Sequence, residues 1–257
     1  MRTVVFSPHM DDAVLSASVC LLRPGTEVVT VFAGPPSPAT GLTHWDRLTR
    51  ARSSADRHTA RLAEDDRAMS LLGVPFQRLD EVDNQYRQGD LDLDALAGRL
   101  ADLADGADEV WAPAAVGGHP DHVAVRDAVR TGLRERNVEV PVVVYADQPY
   151  SLWAGWPTWL TGRPAPGHLD PDYWLDNELA EQCFRPAELI REAVELTADQ
   201  RRRKSEAVQA YRSQLAALWL DPADTRRWES FLSYEIAWRL SAGAPAIRTD
   251  SVLVSSV

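Results

Sequence analysis

Two cysteines in 257 residues are too few to staple a fold, and Cys20 and Cys183 stand in no metal-binding or redox spacing. Both are expected to be buried free thiols, as in a reducing cytosol. No stretch approaches the roughly 18 consecutive apolar residues of a membrane span. Met1-Arg2 leads into a strand-like run rather than an extended apolar signal region, so a soluble cytoplasmic protein is expected. Basic residues are also scarce: 27 Lys and Arg face 38 Asp and Glu, a formal net charge of −11. That balance argues against nucleic acid or an anionic membrane as a partner held by bulk electrostatics. A neutral or cationic small molecule is easier to accommodate. Internal repeats and low-complexity tracts are absent, which removes solenoids and arrays.

The 45% hydrophobic content is enough for a sizeable core. Apolar, β-branched runs at Thr3–Phe6, Glu27–Phe32, Pro75–Leu79, Glu109–Pro113 and Val140–Tyr145 alternate with helical periodicities. The helical stretches carry Leu15, Val19 and Leu22, then residues 47–72 up to Gly73, then Leu93 to Leu103, then Val125 to Leu133. This β-turn-α alternation predicts an α/β, Rossmann-like fold: a mostly parallel sheet with helices on both faces. One domain is expected, with an α/β core over 1–150, a Trp/Pro-rich loop segment over 151–185, C-terminal helices over 186–245 and a tail over 246–257. Within the third part, Val208, Tyr211, Leu215 and Leu218 form one helical stripe and Leu232, Ile236 and Leu240 another. Arg201-Arg202-Arg203-Lys204 reads as a solvated helix face.

Chemistry concentrates in two turns at the carboxyl edge of the predicted sheet, where open α/β folds keep their sites. The first is Pro8-His9-Met10-Asp11-Asp12, after the first strand. The second is Gly117-Gly118-His119-Pro120-Asp121-His122, after the fourth. Adjacent acids repel unless a positive charge lies between them, and a metal ion supplies one. One selection of ligands is His9, Asp12 and His122, which leaves a position open as in a catalytic zinc site. The same donors describe a non-haem iron triad. Spacing alone chooses neither the metal nor Asp12 over Asp11. Asp11 and His119 then remain beside the metal, and a hydrolase needs such groups to take a proton from water and to stabilise what departs. Taken singly, each turn also reads as an ordinary capped helix start. A phosphoacceptor receiver domain shares the acid pair and an Asp after the third strand, here Asp80. It is half this length and requires a Lys where this chain has Asp147-Gln148.

The paired motifs resemble those of the PIG-L or LmbE-like family of zinc-dependent de-N-acetylases. Arg61-Leu62-Ala63-Glu64 with Ala68 and Leu72-Gly73 is similar to the family's R-x-x-E helix. Lys204, Ala207-Val208 and Tyr211-Arg212-Ser213-Gln214 are similar to its C-terminal element, and Tyr145 to Tyr150 to a Y-x-D-x-P-Y stretch of one subgroup. The resemblance implies that His9, Asp12 and His122 bind Zn²⁺, Asp11 is the general base, and His119 stabilises the oxyanion. It further implies that Asp121 orients His119 and that Arg61 holds substrate hydroxyls. The implied reaction is removal of acetyl from an N-acetylated amino sugar or glycosylated small metabolite, with a tilt toward natural-product tailoring. Hydrolysis of another amide or longer acyl group is the alternative within enzymes. A silent carbohydrate-binding protein is the alternative outside them, and oligomerisation is left open. Met10, Ala13 and Gly117 depart from the family pattern; some members carry a tyrosine where Gly117 stands. The loop Gly34–Trp45 and the Trp-rich segment 151–174 are expected to meet the substrate.

Overall fold

The computed structural model describes residues 1–165 and 167–241, so the expected tail at 246–257 lies outside the described residues. β1 (Thr3–Ser7) runs into α1 (Asp12–Ser16) and α2 (Ser18–Leu21), and β2 (Thr26–Thr30) into α3 (His44–Leu48) and α4 (Ser54–Leu72). β3 (Phe76–Arg78) precedes α5 (Leu93–Ala104), β4 (Glu109–Pro113) precedes α6 (Pro120–Glu135), and β5 (Val142–Tyr145) enters a 3-10 turn at Tyr150–Leu152. Then follow α7 (Thr158–Thr161), α8 (Pro171–Glu181), β6 (Leu189–Glu195), α9 (Ala198–Val208), α10 (Arg212–Leu215), α11 (Thr225–Phe231) and β7 (Tyr234–Leu240).

The seven strands form one sheet in the order β3-β2-β1-β4-β5-β7-β6. The first five pair in parallel, whereas β7 runs antiparallel to β5 and β6 antiparallel to β7. The chain steps one way from β1 to β2 and β3, then returns to place β4 and β5 on the other side of β1. Between the carboxyl ends of β1 and β4 the two sets of crossovers diverge and open a crevice. Both histidine motifs follow those two strands, which is why they meet across a long separation in sequence.

Strand side chains alternate between the sheet's faces. Val4 and Phe6 pack with Val29, Leu100 and Val129, while Val5 packs on the opposite side with Leu15, Val28 and Met69. Burial on both faces explains why the parallel strands read as unbroken apolar runs. α5 and α6 cross closely at Gly132, where an added Cβ would lie 2.1 Å from the Ala97 carbonyl oxygen. Glycine inside a helix is ordinarily worse than alanine, but here the clash decides. Gly132→Ala is expected to destabilise the fold by about 1–3 kcal/mol, measured as a lower urea midpoint; an unchanged or higher midpoint would refute the tight crossing.

The expected all-helical C-terminal region contains two strands, β6 and β7. A spacing of four is in phase with both a helical turn and the two-residue repeat of a strand, so Leu232, Ile236 and Leu240 did not discriminate. In β7, Ile236 and Trp238 face Leu175, Leu179 and Phe184, while Ala237 faces the core that holds Phe231. β6 forms the sheet edge and carries Arg191, Glu192 and Glu195, charges that discourage further strand pairing.

Other boundaries also move. The first predicted helix breaks at Ala17 because the Glu235 carboxylate accepts the Ser18 and Val19 amides at 3.0 and 2.9 Å and the Ser18 hydroxyl at 2.5 Å. The helix expected over 47–72 is two, started separately by Thr43 and Ser53 caps. The Trp-rich segment contains α7 and part of α8, and Trp156, Trp159 and Trp174 pack against the β7 side of the sheet. Cys20 is buried as expected, but Cys183 is exposed. Lys204 is fully buried, unlike the solvated face expected of its run. Among the described residues, no helix is long and apolar enough to cross a membrane.

Candidate functional site

Local sequence shapes both turns. The Ser7 hydroxyl donates to the His9 carbonyl at 2.5 Å and accepts the Ala13 amide at 3.0 Å, folding the chain back onto itself. The His9 amide can then donate to Asp12 Oδ2 at 2.7 Å. Across the crevice His119 caps α6, its Nδ1 accepting the Asp121 amide at 3.2 Å. Pro120 opens the helix and Asp121 sits in its first turn, as a helix start prefers.

The two turns bring His9, Asp11, Asp12, His119, Asp121 and His122 together. Ring centroids lie 4.9 Å apart for His9 and His119, 5.3 Å for His9 and His122, and 5.0 Å for His119 and His122. Asp12 Oδ2 is 3.1 Å from His9 Nδ1 and 3.2 Å from His122 Nε2. Behind His122, Nδ1 lies 2.7 Å from Asp147 Oδ1, and the other Asp147 oxygen accepts the Val116 amide at 2.9 Å. Donation to Asp147 places the ring proton on Nδ1 and leaves the Nε2 lone pair facing Asp12.

A carboxylate oxygen facing imidazole lone pairs is repulsive without a cation among them. Among protein atoms alone that cation is a proton. Burial works against a charged His122, yet Asp12 and Asp147 raise it to about 9. Burial likewise opposes charge on His9, which Asp83, Asp12 and Asp121 nevertheless hold well above the ordinary imidazole value. Against the burial penalty, His122 and His9 keep Asp12 well below the carboxylate range. The donors therefore demand positive charge where Asp12 meets the two rings, and two imidazoles with one carboxylate fit a divalent metal. Two sets of side chains among the described residues bring donor atoms within 4.8 Å of one another: His9, His119 and His122, and His9, Asp83 and Asp121. In the second set Arg61 lies 3.5 Å from Asp83 and Arg87 3.1 Å from Asp121, so both carboxylates already have a cation.

Asp11 lies beside this point, its Oδ1 accepting from Arg61 Nη2 at 3.2 Å. Burial raises its pKa and Arg61 opposes the rise. Arg61 is itself buried, its two terminal nitrogens shared between Asp11 and Asp83. Burial and the neighbouring rings push His119 down to about 4, so its imidazole is neutral near pH 7. Because its Nδ1 accepts an amide proton, its own proton resides on Nε2.

The R-x-x-E helix and the C-terminal element brace the first turn. Glu64 accepts from the Ser213 amide and hydroxyl at 2.8 and 2.7 Å. The Tyr211 hydroxyl lies 2.8 Å from both the Met10 carbonyl and the Asp65 carboxylate. Trp45, in α3, donates to Gln214 at 2.7 Å.

The model of the family described as PIG-L, GlcNAc-PI de-N-acetylase, matches residues 4–133, half of the chain and the part that holds both motifs. The chain belongs to the PIG-L family. As a PIG-L member it is an enzyme of the N-deacetylase class, and its sheet has the arrangement of the family's solved structures. It is similar to the zinc-inhibited form of teicoplanin deacetylase Orf2, with 21% identity over 95% of this chain and 100% of that one and a TM-score of 0.71. A40926 pseudoaglycone deacetylase Dbv21 gives 24% identity, coverage of 95% and 98%, and a TM-score of 0.66. A deacetylase–teicoplanin complex gives 25% identity, coverage of 93% and 98%, and a TM-score of 0.63. A search of curated protein sequences finds no match.

The structure brings together every PIG-L site residue expected from the sequence, with one rearrangement. The expected Asp121–His119 pairing runs through the Asp121 amide, while the Asp121 carboxylate lies 3.1 Å from His9 Nε2. Sequence reasoning missed Asp83, Asn84 and Arg87, because the segment after β3 was read only as far as Asp80. Bridges from Phe32 to Asp80 and from Gly34 to Val82 carry that segment along the sheet edge into the site. Asp147 and Tyr150 stood in the Y-x-D-x-P-Y stretch, but no role followed from it. Tyr150 also accounts for Gly117: a Cβ there would lie 3.0 Å from Tyr150 Cβ and Cγ, and the Tyr150 ring meets His122 edge-on at 6.0 Å.

Proposed function

We propose that the protein is a zinc-dependent de-N-acetylase acting on an N-acetylated amino sugar within a glycosylated small molecule. The observation that carries the reading is the convergence of Asp12 Oδ2 with His9 Nδ1 and His122 Nε2, with Asp11 beside it. His9, Asp12 and His122 would hold the metal, two imidazoles and a carboxylate with a position left open. A divalent ion there supplies Lewis acidity, bringing water to a pKa of about 7 and polarising the acyl carbonyl.

The remaining work belongs to the chain. Asp11 Oδ1 is engaged by Arg61, leaving Oδ2 to accept the proton of the attacking water. His119 donates its Nε2 proton toward the acyl oxygen as negative charge develops there, a hydrogen bond worth most in a water-poor site. Water adds to the carbonyl carbon, the C–N bond breaks, and the proton taken by Asp11 leaves with the amine; the products are acetate and free amine. Arg61 retains N–H groups for substrate hydroxyls, since only part of its fork is used.

The likeness to deacetylases of teicoplanin biosynthesis at 25% identity supports a glycosylated natural product as substrate. So does an exposed aromatic pair. Trp153 and Trp219, 63% and 57% exposed, meet edge-on at 5.3 Å over a cavity of about 570 Å³ whose wall includes Pro149, one residue before Tyr150. Indole faces suit the apolar or ring portion of such a ligand.

Metal analysis combined with acetate release over a panel of N-acetylated sugars and glycoconjugates tests the reading. One zinc per chain is expected, with acetate release abolished by chelation and restored by the metal. Stoichiometric iron would replace zinc on the same donors. Absence of both bound metal and acetate release would overturn the proposal.

A further inference from the structure

His9, like His122, has a carboxylate at each ring nitrogen: Nδ1 lies 3.1 Å from Asp12 Oδ2 and Nε2 3.1 Å from Asp121 Oδ2. The Asp121 side chain is fully buried and heavily held. Oδ2 also accepts the Asn84 amide at 2.8 Å, and Oδ1 accepts from Arg87 Nη1 at 3.1 Å. Arg87 is fixed in turn by the Val82 carbonyl at 3.0 Å, by Asn84 Oδ1 at 3.3 Å, and by the Phe32 ring beneath its guanidinium at 5.4 Å. Asp121 is therefore clamped from the segment after β3. Its hydrogen bond to His119 runs through its backbone amide, not its carboxylate.

We propose that Asp121, clamped by Arg87 and the Asn84 amide, is the positioning residue of His9 rather than of His119, and that it sets His9 to present Nδ1 to the metal. A neutral imidazole has one N–H. If Nε2–H donates to Asp121, the Nδ1 lone pair is left facing Asp12, as the Asp147 bond leaves the His122 Nε2 lone pair facing the same oxygen. Two buried carboxylates, one behind each ring, thus orient the two nitrogens toward one point. Arg87 offsets the Asp121 charge, so the aspartate acts as a hydrogen-bond acceptor and does not compete for the ion. The inference rests on the metal reading above and assigns it a support that comes from the third βα unit.

The test is Asp121→Asn in the full chain, with Zn²⁺ affinity measured by competition with a chromophoric chelator. Loss of a carboxylate behind a ligating imidazole typically weakens metal binding 10- to 100-fold, and that loss is expected. His119→Ala should leave affinity within about threefold of the parent on the same argument. An independent readout is the ring ¹H–¹⁵N spectrum of selectively labelled histidines. The parent should show a downfield His9 Nε2–H resonance that shifts in Asp121→Asn and persists in His119→Ala. If Asp121→Asn does not fold, Arg87→Gln removes the outer clamp from a partly exposed position and should still weaken affinity several-fold. Unchanged affinity with an unshifted His9 resonance would overturn the proposal and return Asp121 to His119. A parent that binds no divalent ion would overturn the metal reading; the His9 resonance in the metal-free protein would still decide whether Asp121 holds His9.

Discussion

Asp11→Asn is expected to lower kcat by about 10² to 10⁴ while the purified variant retains its metal. The substitution is nearly isosteric, so its amide oxygen can still accept from Arg61, which stays anchored on Asp83. What disappears is the proton-accepting carboxylate that Arg61 holds beside the facing rings. Asp12 is the weaker base, because its Oδ2 faces the His9 amide and both rings, and His122 and His9 hold its carboxyl well below the usual carboxylate range against the burial penalty. Burial lifts the Asp11 carboxyl above its ordinary value and Arg61 opposes the rise, so it is more basic than an exposed aspartate. The measurement is kcat alongside metal content. Near-normal turnover would remove Asp11 from the chemistry. Loss of metal together with turnover would instead make Asp11 a ligand and reopen the choice the sequence left undecided.

The site was more legible than its supports for a physical reason. His9, Asp11, Asp12, His119 and His122 lie in two short turns that directly follow apolar runs, and a turn at a strand's carboxyl end belongs to the binding edge of an open α/β sheet. The supports are single residues in segments whose local pattern carries no such mark. Asp83 and Arg87 follow a three-residue strand and reach the site through isolated bridges to the end of β2. Asp147 meets the site through His122 Nδ1, from a turn whose sequence advertises proline. The parallel core was legible because burial on both faces forces continuous apolar runs, whereas β7 hid behind a four-residue spacing common to helix and strand. The departure at Gly117 was visible, but its compensation was not: Tyr150, from the turn after β5, occupies the space that a side chain at 117 would need.

Lys204→Met is expected to destabilise the protein by about 3–5 kcal/mol, a fall in Tm of roughly 6–20 °C for a chain of this size. Lys204 has no solvent exposure; its Nζ donates to Glu235 Oε1 and Gln148 Oε1, each at 2.9 Å, and lies 4.6 Å above the Phe231 ring. Burial pushes its pKa below the ordinary lysine value and Glu235 pulls it back only in part. The sign follows by linkage: a depressed folded pKa means that the fold binds the proton less tightly than the unfolded chain does. The stability this amine contributes is therefore greatest above its ordinary pKa and declines as pH falls through the folded value. The pair is thus no large source of stability in itself, and the loss in the variant comes from stranding the Glu235 charge. That carboxylate also holds the Ser18 and Val19 amides that break the first helix, while Gln148 accepts from Lys204 and donates its amide to Ser16 one residue after Asp147. Lys204→Met/Glu235→Gln removes both charges and should recover much of the loss, giving a double-mutant coupling of the order of 0.5–3 kcal/mol. Thermal and urea unfolding of the two singles and the double decide it. A Lys204→Met variant within about 1 kcal/mol of the parent, far below the expected cost of an unpaired buried charge, would show that Glu235 is satisfied without the lysine. The family's C-terminal lysine would then be no brace for the turns that carry the site.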